Sequence, residues 1–407
     1  MKRNFWLLWL GKLISQMGDK FYAIALSWWI LQRTDSTMSM GFFLFACTIP
    51  GIILGFFAGA LTDRLDRRWL MIVTDLLRGS FVVTVTFLSY FDVLKVWQVF
   101  TIGIMLSSIS AFFEPASQAI LPELVKPEAL KKANSLCQLV NGACQVLGPL
   151  LGALVISFFG TTMVFLANGL SFYIAAGMSL FIQYKKRQMD LGEGATTILA
   201  AVMEGIAFIK GKGNMITILF IIGIAHFFVG SLSVSLPFLA DSLGGKGVNN
   251  LGLLETLLGA GLLAGATFSS LKSKKMVTDR RLFTLMMGLG LSFLCIGTAS
   301  YYKIENRIVY MMILFLVGVI IANASIFWQL LLQLNTPDIM RGRVFGISTL
   351  IGNTSLPIAF GVVGILLEIS SISVVMLGSG ICLVILGLGL VLFQVNTNKA
   401  TEKMIND

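Results

Sequence analysis

Charge is what this chain has least of. Of its 407 residues, 12% are Asp, Glu, Lys or Arg, about half the share in a soluble globular protein. Histidine occurs once, at His226. The five cysteines, Cys47, Cys137, Cys144, Cys295 and Cys382, show neither CxxC nor metal-ligand spacing. They read as small buried hydrophobes, so neither a disulfide framework nor a metal site is expected. No GxxxxGK[ST] loop is present, which argues against ATP hydrolysis. Nor is there a nucleophile elbow or a zinc-ligand cluster. The sequence therefore points away from enzymes and calls for no cofactor.

What fills the space is apolar. Hydrophobic residues make up 56% of the chain, with 31 Phe, and the mean hydropathy is +0.87. Several runs reach the roughly 20 residues that a bilayer-spanning helix needs. Twelve spans are predicted, at roughly 5–31, 38–61, 69–90, 96–119, 134–159, 162–183, 215–240, 250–271, 282–301, 308–334, 343–367 and 372–394. The fold class is thus an all-α polytopic membrane protein. The start, "MKRNFWLLWLGK", imitates a signal peptide. Lys12 interrupts its apolar run and no small-x-small cleavage site follows, so it reads as a retained first span.

The formal charge is +10, and its distribution makes a nucleic-acid partner unnecessary. Most of the 30 Lys and Arg fall in loops on one side of the twelve spans. The other side holds only Arg33, Lys95, Lys246, Lys303 and Arg307. Positive loops face the cytoplasm, which places both termini there. Trp6 and Trp9 at one end of the first span, and Trp28 and Trp29 at the other, read as two aromatic belts.

Ionisable groups within spans are costly and face a bundle interior or a cavity. Lys12, Ser15, Gln16 and Asp19 recur at three- and four-residue spacing. They form a polar stripe expected to face a central path. Asp19 is open to three roles: binding a proton, pairing with a cationic substrate, or making a structural ion pair with Lys20 or another helix. Glu255 is a second protonation candidate or a rim residue. Glu114 sits beside Pro115 toward the inner end of its span. Asp75 and Arg78, three apart, suit a local ion pair. His226 can titrate near neutral pH or simply pack. Phe227, Phe228 and Phe238, mixed with Ser231, Ser233 and Ser235, would suit a bulky amphipathic ligand.

The halves look related. "LVKPEALKKANSL" (124–136) matches "LNTPDIMRGRVFG" (334–346), and Pro149 and Pro357 fall at a similar offset. This predicts two parallel six-helix repeats, residues 1–183 and 215–407, with the substrate path between them. Residues 184–214 form the linker. Within it, Ile198, Val202, Ile206 and Ile209 mark an amphipathic helix at the membrane surface.

Between the second and third spans lies "GALTDRLDRR". Gly59, Asp63, Arg64, Arg67 and Arg68 resemble the G-x-x-x-D-R-x-G-R-R loop of the major facilitator superfamily. Asp66 stands where glycine is usual, a departure that the drug-efflux branch containing the macrolide exporters shares. "EPASQAILPELVKPEALKKANSL" (114–136), "PDIMRGRVFG" (337–346) and "ETLLGAGLLAG" (255–265) also resemble that branch. "GPLLG", with Gly148, Pro149 and Gly152, is similar to the helix-5 antiporter motif of exporters, although Cys144 and Ala153 replace two of its glycines.

The resemblance implies the major facilitator fold and secondary active export of amphipathic, macrolide-like compounds by proton antiport with alternating access. The implied setting is a bacterial inner membrane, and a monomer is expected. It also implies a conformational latch of Gly59, Asp63 and Arg67, with Asp75, Arg78 and Arg341 nearby. Gly51, Gly55 and Gly59 on one helix face should let a neighbour approach closely. Asp63 would then meet the free N–H groups of the eleventh span. Three alternatives stand beside export of drugs. "SQMGDKFYAIAL" (15–26) also resembles lysophospholipid transporters of the superfamily. A siderophore exporter is a second alternative. A non-transporting membrane receptor or scaffold is a third, disfavoured by the short loops and the carboxylates in the spans.

Overall fold

The computed structural model describes residues 3–183, 198–271 and 279–406. Among them the regular structure is wholly helical: α1 (Arg3–Thr34), α2 (Thr37–Arg64), α3 (Arg67–Tyr90), α4 (Val96–Leu124), α5 (Leu130–Phe159), α6 (Thr161–Leu180), α7 (Ile198–Lys210), α8 (Gly213–Ser242), α9 (Gly247–Leu271), α10 (Asp279–Tyr301), α11 (Arg307–Asn335), α12 (Asp338–Ile369) and α13 (Ile372–Asn406). Eleven are long and apolar enough to cross a membrane. The remaining long helix, α1, has 32 residues. Its hydropathy is broken by Lys12, Asp19 and Lys20. With α1 there are twelve membrane-length helices, and α7, at 13 residues, is too short to span. The chain is a multi-pass membrane protein.

The chain divides into two compact units. Unit 1 comprises Met1–Glu193, Leu236–Thr256 and Phe360–Gly364. Here α1 packs on α5 and α6, while α3 packs on α4 and α6, and α2 lies along α4. Small residues permit these approaches. A Cβ on Gly11 would touch the Ala175 backbone at 3.6 Å, and one on Gly79 would lie 3.2 Å from the Gly169 carbonyl. Phe5, Leu8, Met71, Phe113 and Ile120 close the core at the N-terminal end of α1. Gly160, at φ 82°, makes the tight corner between α5 and α6 in a conformation that a side chain would strain.

The α2–α3 corner resolves the unusual Asp66. Its side chain accepts a hydrogen bond from the Trp69 amide at 3.1 Å and caps α3. Such caps contribute about 1 kcal/mol. The glycine that commonly stands there has no such oxygen. The two arginines that follow fasten neighbouring helix ends. Arg67 donates to the Ala119 carbonyl at 2.9 Å and pairs with Glu123 at 2.7 Å. Arg68 donates to the Ser179 carbonyl at 3.1 Å and to that of Leu180.

Two sequence expectations need correction. Trp28 and Trp29 are buried, at 7% and 6% exposure, so they form no lipid-facing belt. Trp28 lies against Gly247 and Arg33 stacks over Trp29. Protein contact wins over the headgroup level because the N-terminal segment of α9 occupies that surface. The glycine face of α2 is also only partly used. Gly51 meets Ser107 of α4, whereas Gly55 has no neighbour within 4 Å among the described residues.

Unit 2 comprises Gly194–Ser235, Leu257–Ala359 and Ile365–Asp407. Its α10 packs on α13 and α11, with Gly290, Gly297 and Gly380 at close contacts between α10 and α13. Gly261 and Gly265 of α9 seat against α11 near Gly318 and Val319. The short α7 docks on α12. Glu204 pairs with Arg343 at 2.5 Å, Ile209 is buried, and Gly205 abuts Ile347.

Candidate functional site

The polar stripe of α1 turns toward α3, α4 and α6 inside unit 1. Arg78 is its centre. This guanidinium is 5% exposed and pairs with Asp75, itself 1% exposed, one turn earlier on α3. Its other terminal nitrogen lies 4.0 Å from Asp19 Oδ2. Phe113 of α4 and Phe172 of α6 flank it, with ring centroids at 4.2 and 4.4 Å. Both rings face the cation, an arrangement that stabilises it at a site with little water. The three charges form a series: Asp19 is 46% exposed, Arg78 lies behind it, and Asp75 is deepest. Asp75 Oδ2, Arg78 Nε, Gln16 Oε1, Tyr22 Oη and Asn168 Nδ2 are buried without a protein hydrogen-bond partner. Such groups are ordinarily satisfied by ordered water.

A second ionic pair lies about two turns away on α1. Lys12, 8% exposed, bonds Glu114 of α4 at 3.0 Å, and Gln118 donates to the same carboxylate oxygen at 3.0 Å. Trp9 donates its indole N–H to the Leu136 carbonyl at 3.0 Å, tying α1 to α5. These groups border a cavity of about 350 Å³ whose α5 wall carries Asn134, Gln138 and Asn141. The sequence reading noted Lys12 and Glu114 separately and missed the α5 amides. Their signal was available: Asn134, Gln138 and Asn141 recur at spacings of four and three within an otherwise apolar span.

The antiporter-motif residues support this region from behind. A Cβ on Gly152 would sit 3.0 Å from the Phe21 Cα, and Gly148 is pressed against the stem of Lys20. Pro149 is buried, and its carbonyl receives Gly252 of α9, 2.8 Å from where a Cβ would stand. Glu255, one turn beyond Gly252 and within unit 1, has Lys20 as its charged neighbour. The structure therefore gathers Asp19, Asp75, Arg78, Gly148, Pro149, Gly152 and Glu255 into one unit.

His226 belongs to unit 2. Its Nδ1 donates to the Ile222 carbonyl at 2.8 Å, and the ring lies against Gly352. It lines a small apolar cavity of about 100 Å³ with Ser325 and Trp328. A larger apolar cavity, about 540 Å³, is bordered by Phe220, Phe227 and Ile351 of the same unit. Arg67 finds its partners on α4, as described above. Arg341 is exposed and reaches the Gln333 carbonyl at 3.4 Å. The surroundings of Gly59 and the side chain of Asp63 are not among the details that the structure describes. No group of His, Cys, Asp and Glu able to hold a metal occurs among the described residues.

Comparison with known proteins fits this architecture. The family model described as a transmembrane secretion effector matches residues 1–407. The chain is 22% identical over 296 residues to macrolide efflux protein A of Streptococcus pyogenes, covering 72% of each chain. It is 25% identical over 372 residues to the multidrug efflux pump Tap of Mycolicibacterium fortuitum, covering 89% of this chain and 87% of that one. The crystal structure of the nucleoside transporter NupG superposes with a TM-score of 0.73 at 11% identity, covering 96% of this chain and 98% of that one. At that identity the likeness concerns the fold alone. The chain belongs to the transmembrane secretion effector family of the major facilitator superfamily and is a membrane transporter rather than an enzyme.

Proposed function

We propose that this transporter exports amphipathic, drug-like compounds in exchange for protons. The observation that carries the reading is the Asp19–Arg78–Asp75 series. Two carboxylates share one guanidinium, so with both ionised one negative charge is left over. A proton on Asp19 removes that excess while Arg78 keeps its pair with Asp75. Asp19 is also the member that solvent reaches. Lys20 and Glu114 are further charged groups within electrostatic reach of this series, and Glu255, which neighbours Lys20, is a second carrier in the same unit. Within unit 1, the polar cavity beside the series supplies hydrogen-bonding groups for the polar part of such a solute.

In this reading the six-helix halves, residues 1–183 and 215–407, alternate access about the solute, and residues 184–214 link them. The termini are cytoplasmic in a bacterial inner membrane, and the transporter works as a monomer. Gly59, Asp63, Arg67, Asp75, Arg78 and Arg341 act in a conformational latch, and Gly148, Pro149 and Gly152 form the antiporter motif. His226 is a further coupling candidate.

The test is transport in proteoliposomes under an imposed pH gradient, using a macrolide, a lipophilic cation and a lysophospholipid. Gradient-driven movement of the drugs is expected. Movement of the lysophospholipid alone overturns the reading. Asp19→Asn should abolish gradient-driven efflux while leaving solute exchange at equal pH; unchanged efflux removes Asp19 from coupling.

A further inference from the structure

The Lys12–Glu114 cavity lies beside the proton series, with Glu114 in electrostatic reach of Arg78, and its own chemistry is specific. Three features define it. Lys12 and Glu114 form a closed ion pair at 3.0 Å, so the fixed charges of the wall cancel. Around the pair stand carboxamides from two helices: Gln118 on α4, and Asn134, Gln138 and Asn141 on α5. Those four side chains are exposed although they lie on membrane-spanning helices. Polar groups at such positions line aqueous space rather than lipid. The third feature is Trp9, whose N–H is already committed to the Leu136 carbonyl. Its ring is thereby pinned as an apolar wall of the same cavity.

We infer that this cavity is a binding subsite for an uncharged, hydroxyl-rich head group, such as a sugar, carried on an amphiphile. Carboxamides both donate and accept hydrogen bonds, as hydroxyl groups do, so each can satisfy an alcohol in either sense. A pinned aromatic ring suits the C–H face of a saturated ring. The cavity, at about 350 Å³, lies within the roughly 300–1,000 Å³ range of small-molecule sites.

Charged heads fit less well. An ammonium drawn to the Glu114 carboxylate meets the Lys12 ammonium bonded to it. An anion drawn to Lys12 meets Glu114. Either guest must break a pair that is already satisfied, whereas a neutral polyol accepts and donates around it. The inference deepens the export reading, on which it rests only for the direction of traffic; occupancy itself needs no gradient.

Cys137, a free and partly buried cysteine, lines the cavity and supplies a native reporter. The full chain is prepared in lipid nanodiscs with Cys47, Cys144, Cys295 and Cys382 changed to Ala. Alkylation of Cys137 by N-ethylmaleimide is timed in the presence of three probes with the same tail: octyl β-D-glucoside, octyl phosphate and octyltrimethylammonium. The glucoside, at four times its dissociation constant, should slow labelling about five-fold by mass action. At the same concentration as the glucoside, the two charged probes, bound at least about four-fold more weakly, should leave the rate within about two-fold of the unliganded protein.

Gln138→Leu and Asn141→Leu, both at exposed positions, should remove the protection without disturbing assembly, which gel filtration checks. Protection by octyl phosphate or octyltrimethylammonium equal to that by the glucoside overturns the inference, as does absence of protection by all three. Protection that survives both Leu variants overturns it as well. Protection by the glucoside in a protein that fails the pH-gradient assay leaves the subsite standing and removes proton antiport instead.

Discussion

Replacing Arg78 by Met should be far more damaging than replacing its partner. The substitution keeps an unbranched apolar stem between Phe113 and Phe172 but deletes the cation. Asp75, 1% exposed, then loses its counter-ion. Orphaning one member of a buried pair costs about 3–5 kcal/mol. Losing the two ring contacts at 4.2 and 4.4 Å adds about 1 kcal/mol or more. Asp75→Asn is different. Arg78 keeps both rings and Asp19 at 4.0 Å, and the amide oxygen still accepts a hydrogen bond, so about 1–2 kcal/mol is expected. The decisive measurement is the double variant Arg78→Met/Asp75→Asn. Removing the orphaned charge should make it more stable than Arg78→Met alone, a coupling of roughly 1–3 kcal/mol. Unfolding of the purified chain by increasing SDS in mixed micelles, followed by tryptophan fluorescence, gives the four free energies. Additivity within about 0.5 kcal/mol would refute the claim that Arg78 is the sole compensation of Asp75.

Other outcomes follow from particular contacts. Gly152→Val places a side chain on the Phe21 backbone, 3.0 Å away, and should destabilise by about 1–3 kcal/mol in the same titration. Gly177→Ala, at a position with no described atom within 4 Å, should instead stabilise α6 by up to about 1 kcal/mol. Gly41→Val cannot fit beside Gly364, whose Cα is 2.8 Å from the new Cβ. Transport should fall at least about ten-fold, the effect of roughly 1.4 kcal/mol, while folding, read by gel filtration, persists. Glu204→Gln breaks an ion pair that is 57% exposed on the Glu side, so stability should move by less than about 1 kcal/mol. Trypsin cleavage near Lys210 and Lys212 should nevertheless accelerate as α7 loosens.

The fold was legible because a bilayer imposes one demand on every span. Long apolar runs and the placement of Lys and Arg were enough to count the helices. Even α1 was readable, since its charges recur at helical spacing and mark a face. Pairings were not legible. Lys12 meets Glu114 across 102 positions of sequence, and no local pattern announces that α1 and α4 bring them together. Asp19 had Lys20 beside it in sequence, yet its ion pair in the structure is with Arg78, because adjacent residues on a helix point in different directions. Trp28 and Trp29 carried the composition of a membrane belt, but the surface they occupy is covered by protein. Asp66 looked like an anomaly against a loop pattern, and its function as a helix cap depends on a backbone turn that the pattern does not describe.

Arg67 and Arg68 act twice in the life of the chain. In the orientation proposed above, any cation there opposes translocation during insertion, and lysine would serve as well as arginine. After insertion, the planar guanidinium of Arg67 must reach a carbonyl and a carboxylate of α4, and that of Arg68 two carbonyls ending α6. Lysine lacks the fork that makes such divided bonding possible. Arg→Lys changes at this pair would therefore yield a chain threaded correctly through the bilayer whose helices fail to close up, separating biogenesis from assembly at a single loop.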